Sequence, residues 1–168
     1  MAFRRCWYTA ALGVLFGALG CESSTGLDPE SNPLIQTDSP QYTLQTEGIG
    51  WGVDIPYVFT NRTGAIVHLA NCLGSFPLHL ERKDQGAWHT AWSPVILLCS
   101  MPSIVIDRNA RFADTLRVWG APQDSDRAPQ FDTDEPSGTY RIVWDAVGSP
   151  DRLIPLEMRV SNEFVLRK

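Results

Sequence analysis

Apolar residues recur at every second position from Gln41 onward, and this alternation limits the fold more than any other feature of the chain. It is clearest in residues 51–60, where five apolar residues fall on one side of an extended chain: Trp51, Val53, Ile55, Tyr57 and Phe59. Alternation with a period of two predicts β-strands with one buried face. No stretch after residue 21 shows the period of an amphipathic helix, so we expect an all-β domain.

Turn sequences rich in Gly, Asn and Asp divide this region into short segments. Further strands are predicted at residues 65–71, 78–81, 88–92, 104–106, 112–118, 139–146, 156–160 and 164–166. The turn Asn61–Gly64 is expected to join the first two strands as a hairpin. Pro56 has no amide hydrogen, so its strand is expected at a sheet edge or at a bulge. About eight to ten short strands with frequent turns predict a β-sandwich over residues 41–168.

The N-terminal segment has the pattern of an export signal. Arg4 and Arg5 precede an uncharged run from Cys6 to Gly20. This run is shorter than the roughly 20 apolar residues that span a bilayer core, and its length and flanks fit a signal peptide. Residues 1–20 are therefore assigned to a signal peptide.

The end of this segment, Ala18-Leu19-Gly20-Cys21, resembles the lipobox of bacterial lipoproteins. Gly20 and Cys21 match that motif, while Ala18 stands where leucine is usual. The resemblance implies cleavage before Cys21, a diacylglycerol thioether on its sulfur, and acylation of the new amino group by a fatty acid such as palmitate. Several acyl chains anchor a protein firmly. The alternatives are an ordinary signal peptide that happens to end near a cysteine, and a membrane helix that is never cleaved.

Residues 21–40 are then expected to comprise the acylated cysteine and a flexible linker, because residues 22–40 are rich in Ser, Asp, Glu, Pro and Thr. The protein would be lipid-anchored to the cell membrane or the outer membrane, facing the periplasm or the exterior. Glu22 favours the outer membrane, since aspartate at this position retains lipoproteins of enteric bacteria in the inner membrane.

Charge and cysteine content restrict the function further. The formal net charge is −5, and it becomes −7 without residues 1–20, with 12 basic against 19 acidic residues. This balance argues against nucleic acid as a partner. Cys72 and Cys99 remain after Cys6 is removed and Cys21 is lipidated. In an exported protein we expect them to form a disulfide, the alternative being two buried thiols.

The sequence contains no nucleophile elbow, zinc-protease helix, phosphate loop or dinucleotide fingerprint, so we expect no enzyme. His79 and Glu81, with His68 on a neighbouring strand, have residue types that bind zinc. The acidic loop from Asp124 to Glu135 has oxygens that suit calcium. Both are interpreted as solvated polar surface, and no metal or other cofactor is expected.

A second resemblance concerns the domain. A strand ends at Asn61, a return strand covers Gly64–Leu69, a turn covers Gly86–Trp88, and a later strand opens with Gly138-Thr139-Tyr140-Arg141. This order resembles small immunoglobulin-like modules of bacterial lipoproteins. It is also similar in layout to the bacterial intracellular proteinase inhibitor family. Over most of residues 42–168, the resemblance implies an immunoglobulin-like antiparallel β-sandwich. The cysteine pair and the export signal depart from the intracellular pattern, so only the fold is carried over.

These observations predict a lipid-anchored cell-envelope protein of a non-catalytic binding or structural type, with an envelope protein or a glycan as partner. The expected contact surface comprises the loop Gly120–Gly138 and the segment Ser93–Pro102. Within it the candidate residues are Ser100, Met101, Pro102 and Trp119, the last being out of phase with its apolar neighbours. One alternative is an exported protease inhibitor presenting Cys99–Pro102. The other is a metal- or sugar-binding module, with clustered histidines or two exposed tryptophans side by side.

Overall fold

The chain forms a β-sandwich, as the alternation predicts. The computed structural model describes residues 33–145, 147–149 and 152–168, and within them it contains thirteen strands. The strands are β1 Ile35–Thr37, β2 Gln41–Thr43, β3 Gln45–Glu47, β4 Gly50–Thr60, β5 Val67–Asn71, β6 Leu78–Asp84, β7 Ala87–Trp92, β8 Met101–Ile106, β9 Arg111–Gly120, β10 Gly138–Trp144, β11 Val147–Ser149, β12 Arg152–Leu153 and β13 Phe164–Arg167.

The first sheet is built around β4. The neighbouring strand β9 pairs with β4 along its whole length, while the short strands β1 and β3 share its other side. The expectation that Pro56 marks an edge or a bulge is wrong. Its carbonyl accepts from the Asp38 amide at 3.1 Å, at the break between β1 and β3. The missing amide hydrogen therefore faces this break, and the ladder to β9 is not interrupted.

The second sheet has the order β2-β13-β10-β6-β7, and the third has the order β12-β11-β5-β8. All pairs in them are antiparallel except β2 with β13. The predicted hairpin of β4 and β5 does not form, since β5 pairs with β8 and β11 instead.

Asn61 explains why the chain leaves the first sheet after β4. Its side chain is fully buried, and Nδ2 donates to the carbonyls of Ala65, Ile106 and Asp107 at 2.7–3.0 Å. Its Oδ1 accepts from the amide and the hydroxyl of Thr63. These bonds satisfy backbone groups where the chain crosses to the third sheet, because buried carbonyls need donors.

Trp144 of β10 lies at the centre of the core and is fully buried. It stacks on Phe59 at 5.1 Å between ring centroids and meets Tyr57 edge to face at 5.7 Å, both from β4. Phe112 of β9 approaches the same ring edge to face. The second sheet is thereby packed on the first. The third sheet adds three buried residues to the same core: Val67, Leu69 and Ile106.

The domain begins before residue 41, so the expected boundary of the linker is wrong. Leu34 and Ile35 are buried, and Ile35 lies opposite Phe59 in the ladder between β1 and β4. Residues 33–40 thus belong to the sandwich. The predicted signal peptide and the remainder of the linker lie outside the described residues.

The strand predicted at residues 156–160 is also wrong. Leu156–Met158 form a short 3₁₀ helix after Pro155, and only Val160 makes a bridge, to Val143. The guanidinium of Arg159 donates to the carbonyls of Ile154 and Trp144, which holds this segment folded against β10.

The tyrosines of the described residues have raised pKa values. Burial and the nearby Asp114 carboxylate raise the pKa of Tyr57 above its usual range, and burial does the same for Tyr140. Burial and the hydrogen bond to Asp38 raise the pKa of Tyr42 to about 12.

We therefore expect stability to be lost at high pH. A raised pKa means that the folded state holds its phenol protons more tightly than the unfolded state, so this stability is complete below about pH 10 and falls above it. Urea unfolding between pH 7 and pH 12 should show a constant midpoint up to about pH 10, followed by a decrease. Tyr57→Phe should make this decrease in the midpoint smaller, because one of the buried phenols is removed. Tyrosinate absorbance in the folded protein near pH 10 would contradict the expectation.

Candidate contact surface around the disulfide

Cys72 and Cys99 form a disulfide, as predicted from the sequence. Cys72 follows β5 and Cys99 precedes β8, so the bond closes the end of this strand pair, where Asn71 lies opposite Met101. The chain between the two cysteines includes β6 and β7 of the second sheet. The disulfide therefore links both ends of a segment that crosses between sheets.

A tight turn at Cys72 presents an apolar side chain to solvent. The amide and carbonyl groups of Cys72 and Ser75 bond to each other, which leaves Leu73 and Gly74 as a two-residue turn. Both residues have positive φ, 57° and 86°, as in turns that normally favour Asn-Gly. A leucine with a positive φ is sterically disfavoured. The turn nevertheless places Leu73 there, and the side chain of Leu73 is 66% exposed.

The segment before Cys99 also exposes apolar side chains. Residues 93–100 form no regular structure, and Leu97 is 90% exposed. We call the following five exposed residues the apolar tip: Leu73, Val95, Leu97, Leu98 and Met101. Each of them lies within four residues of a disulfide cysteine, so the bond holds them at one end of the β5–β8 pair.

The structure places three of the four predicted contact residues at the apolar tip. Ser100, Met101 and Pro102 are exposed, and the last two begin β8. Among the described strands, β8 pairs with β5 alone and is the edge of its sheet. Trp119 lies elsewhere, on β9 opposite Gly52. Its side chain is half-buried, and its indole nitrogen donates to the Glu47 carbonyl at 3.3 Å.

The loop Gly120–Gly138 is fixed to the second sheet. Asp132 accepts from Arg82 at 3.1 Å and lies 3.2 Å from Nε2 of His89, and its amide donates to the Ala91 carbonyl. Phe131 is buried against Gly120, where a Cβ atom would lie 2.4 Å from its ring. This loop is consequently a packed part of the domain.

A shallow depression of about 570 Å³ joins the two segments that the sequence indicated as a contact surface. One side is formed by Ser93 and Val95, and the other by Gln123 and Pro129 among others. The predicted segments are therefore neighbours, although they are about thirty residues apart in the chain.

Several of the acidic and histidine side chains that could bind a metal are paired with other protein groups. Nδ1 of His79 lies 2.8 Å from Asp145, while His68 belongs to the third sheet and not to the strands beside His79. Asp134 accepts from the Gln123 amide. Within residues 33–145, 147–149 and 152–168, no three His, Cys, Asp or Glu side chains are grouped closely enough to hold a metal ion.

The tryptophans do not form an exposed sugar platform in the described part of the chain. Trp92 and Trp144 are buried, and the other three are half-buried. Trp88 lines a second depression of about 540 Å³, but the guanidinium of Arg141 lies 4.4 Å from its ring centroid. A cation–π contact with Arg141 thus already covers part of the Trp88 ring.

Sequence reasoning missed Leu73, because a leucine between a cysteine and a glycine has no alternation around it. The two positive φ values that expose it are a property of the turn and became visible only in the structure. For Leu97 and Leu98, the signal was present as the apolar run Val95–Leu98, which lacks the period of a strand or a helix.

No family model matches this chain, and no curated protein matches it. Among the described residues, no helix is both long enough and apolar enough to cross a membrane.

Removal of the disulfide should destabilise the domain. The bond joins two cysteines that are 27 residues apart in the chain. For a loop of this length, the loop-entropy relation gives a stabilisation of about 3.5 kcal/mol. The double variant Cys72→Ala/Cys99→Ala should therefore lower the free energy of unfolding in urea by about this amount. Reductant added to the native protein is the matched control and should have a similar effect. Alkylation of both cysteines without reductant would contradict the bond.

Proposed function

We propose that the protein is a lipid-anchored cell-envelope protein that acts by non-catalytic binding. In this function Cys21 fixes the chain to a membrane, the residues before Pro33 give the domain reach, and the rigid sandwich presents a contact surface. The expected partner is an envelope protein or a glycan, and neither catalysis nor nucleic acid is involved.

The observation that carries this proposal is the apolar tip. Leu97 and Leu98 are 90% and 59% exposed, in a domain whose other large apolar residues largely fill a continuous core. Apolar side chains grouped in one place on a surface are typical of interaction sites. The disulfide supports the proposal because it fits an exported protein and positions this group.

The loop Gly120–Gly138 supplies the polar part of the proposed contact surface. Asp124 and Gln123 lie beside the same depression as Val95. Since Asp132 and Phe131 fix the loop to the sheet, a partner meets a preformed surface, which lowers the entropic cost of binding.

Cys21→Ser should abolish incorporation of labelled palmitate and release the protein from the membrane fraction. The physical reason is that acyl chains on this sulfur and the adjoining amino group contribute the membrane affinity. Cys6→Ser is the matched control, because it removes another cysteine, one that leaves with the predicted signal peptide, and should leave the label in place. Unchanged labelling of the Cys21 variant would refute the anchor.

A second candidate function is that of an exported protease inhibitor. The segment Cys99–Pro102 favours it, because this segment is exposed, is fixed at one end by the disulfide and continues into an edge strand. Extended and constrained segments of this kind are suited to pairing with another protein by strand addition.

The inhibitor function predicts that at least one member of a panel of serine, cysteine and metalloproteases is inhibited. Met101→Asp should then weaken the inhibition, whereas Asp84→Ala in the distant β6–β7 turn should not. Absence of inhibition across the panel would remove this candidate.

A further inference from the structure

The side chains of the apolar tip are exposed, Leu97 to 90%, and their chemistry indicates what covers them. We infer that the apolar tip inserts into the interfacial region of the lipid bilayer to which the protein is anchored, so that the domain is held at two points. This inference rests on the proposed lipid anchor at Cys21. It assigns the apolar tip to the membrane, so the envelope protein or glycan of the proposed function is left to the polar loop Gly120–Gly138.

The two stretches of chain that carry the apolar tip contain no formally charged side chain. Residues 63–80 and 85–106 include no Asp, Glu, Lys or Arg, although one-fifth of the whole chain is charged. These stretches contain β5, β8, the turn at Leu73 and the segment before Cys99. A pocket that Ser75 and Pro94 help to line also contains Asp114 and Arg117, which carry one charge of each sign. The exposed Asp124 also lies beside a depression that Val95 helps to line. Because burying unpaired charge is costly, only the outermost side chains of the tip, Leu97 above all, enter the apolar layer.

This pattern fits a bilayer better than a protein partner. Interfaces between proteins usually have an apolar centre and a polar rim whose charges contribute orientation and specificity. Here the uncharged stretches extend beyond the exposed side chains over two neighbouring strands. Exposed apolar side chains bind a lipid interface through the apolar area that they bury there.

The backbone at the tip also fits an interfacial position. Residues 93–100 form no regular structure, so their amide and carbonyl groups need partners from outside the segment. Such backbone is excluded from the hydrocarbon centre of a bilayer but is tolerated where water and headgroups are present. Side chains such as those of Leu97 and Leu98 can reach the acyl chains from that depth.

The length of the linker allows the contact. Twelve steps of the chain separate Cys21 from Pro33, which corresponds to a reach of at most about 40 Å. Pro33 is fixed beside β4 by a hydrogen bond from Arg62, and Leu34 bonds to the Thr60 amide.

The tip lies within that reach. Asn61, the residue after Thr60, bonds to the carbonyl of Ile106, which marks the near end of the β5–β8 pair. The far end of this pair, at Asn71 and Met101, carries the tip. It is four residues further along β5, which corresponds to about 13 Å. The linker is therefore long enough for Cys21 and the tip to contact the same bilayer.

Two-point attachment has a functional consequence. Once Cys21 is anchored, insertion of the tip becomes an intramolecular event with a high effective concentration, so a weak lipid contact is sufficient. The tip then fixes which side of the sandwich faces away from the membrane.

The main experiment is photo-crosslinking with the full chain in cells. A benzophenone amino acid replaces Leu97 in one variant and Asp84 in the other. Asp84 is the control because it is exposed at the turn of β6 and β7, at the opposite end of β7 from the tip. We expect lipid adducts at position 97 and at most background at position 84. A discrete protein adduct at position 97 without lipid adducts would overturn the inference in favour of a protein partner. Equal lipid adducts at both positions, or none at either, would also overturn it.

A second measurement separates the tip from the anchor. The chain from Glu22 to Lys168, exported without a lipidated cysteine, is sedimented with vesicles of equal parts phosphatidylcholine and phosphatidylethanolamine. Each exposed leucine should contribute about tenfold to partitioning, so Leu97→Ser and Leu98→Ser should each lower it by about that factor. Gln85→Ser is the control and should have no effect. These side chains are exposed, so circular dichroism should be unchanged.

The two failures are distinguishable. If Cys21→Ser leaves palmitate labelling unchanged, the anchor is refuted, whereas the vesicle result still reports on the tip. Partitioning that does not depend on Leu97 and Leu98 refutes the tip and leaves the anchor standing.

Discussion

The packing of Trp144 between the sheets is the interaction on which the rest of the structure depends. Its ring stacks on Phe59 and meets Tyr57 and Phe112 edge to face, so one side chain joins β10 with both long strands of the first sheet. Aromatic pairs of this geometry stabilise beyond the area that they bury. Because β4 and β9 are joined through ten matched residue pairs, fixing the position of this strand pair over β10 fixes the whole first sheet. The three sheets therefore share one core.

The core does not account for the surface around the disulfide. Residues 93–100 lie outside the strands, and the side chains of the apolar tip contribute little to the buried cluster. The disulfide and the β5–β8 pairing hold this end of the domain instead. Core and contact surface thus depend on different interactions, which allows the tip to consist of residues that a core would otherwise bury.

Local properties of the chain were predictable from the sequence, and pairing partners were not. The alternation in residues 51–60 predicted β4 and its buried face, because one face of that strand lies against the core along its length. The same pattern cannot specify that β4 pairs with β9, more than fifty residues away, instead of β5. That choice depends on Asn61, whose bonds to the carbonyls of Ile106 and Asp107 direct the chain into another sheet. Pro56 was misplaced for a similar reason, since a gap between β1 and β3 is a property of the assembled sheet.

The candidate site shows the same division. The disulfide was predictable because only two cysteines remain once the N-terminal pair is assigned to export and lipidation, and the apolar run before Cys99 was visible in the sequence. The exposure of that run was not, because periodicity alone does not separate a buried apolar segment from a projecting one. The charge of the surrounding chain distinguishes the two cases here. A buried apolar segment would be expected beside strands whose outward faces carry charged side chains, whereas residues 85–106 contain no charged side chain. Neither face of β8 carries a charged side chain. This absence is informative because an uncharged face gives little stability to a surface strand that lies in water. It becomes favourable when that end of the domain lies against a medium of low polarity, which a lipid anchor twelve residues before the domain would supply.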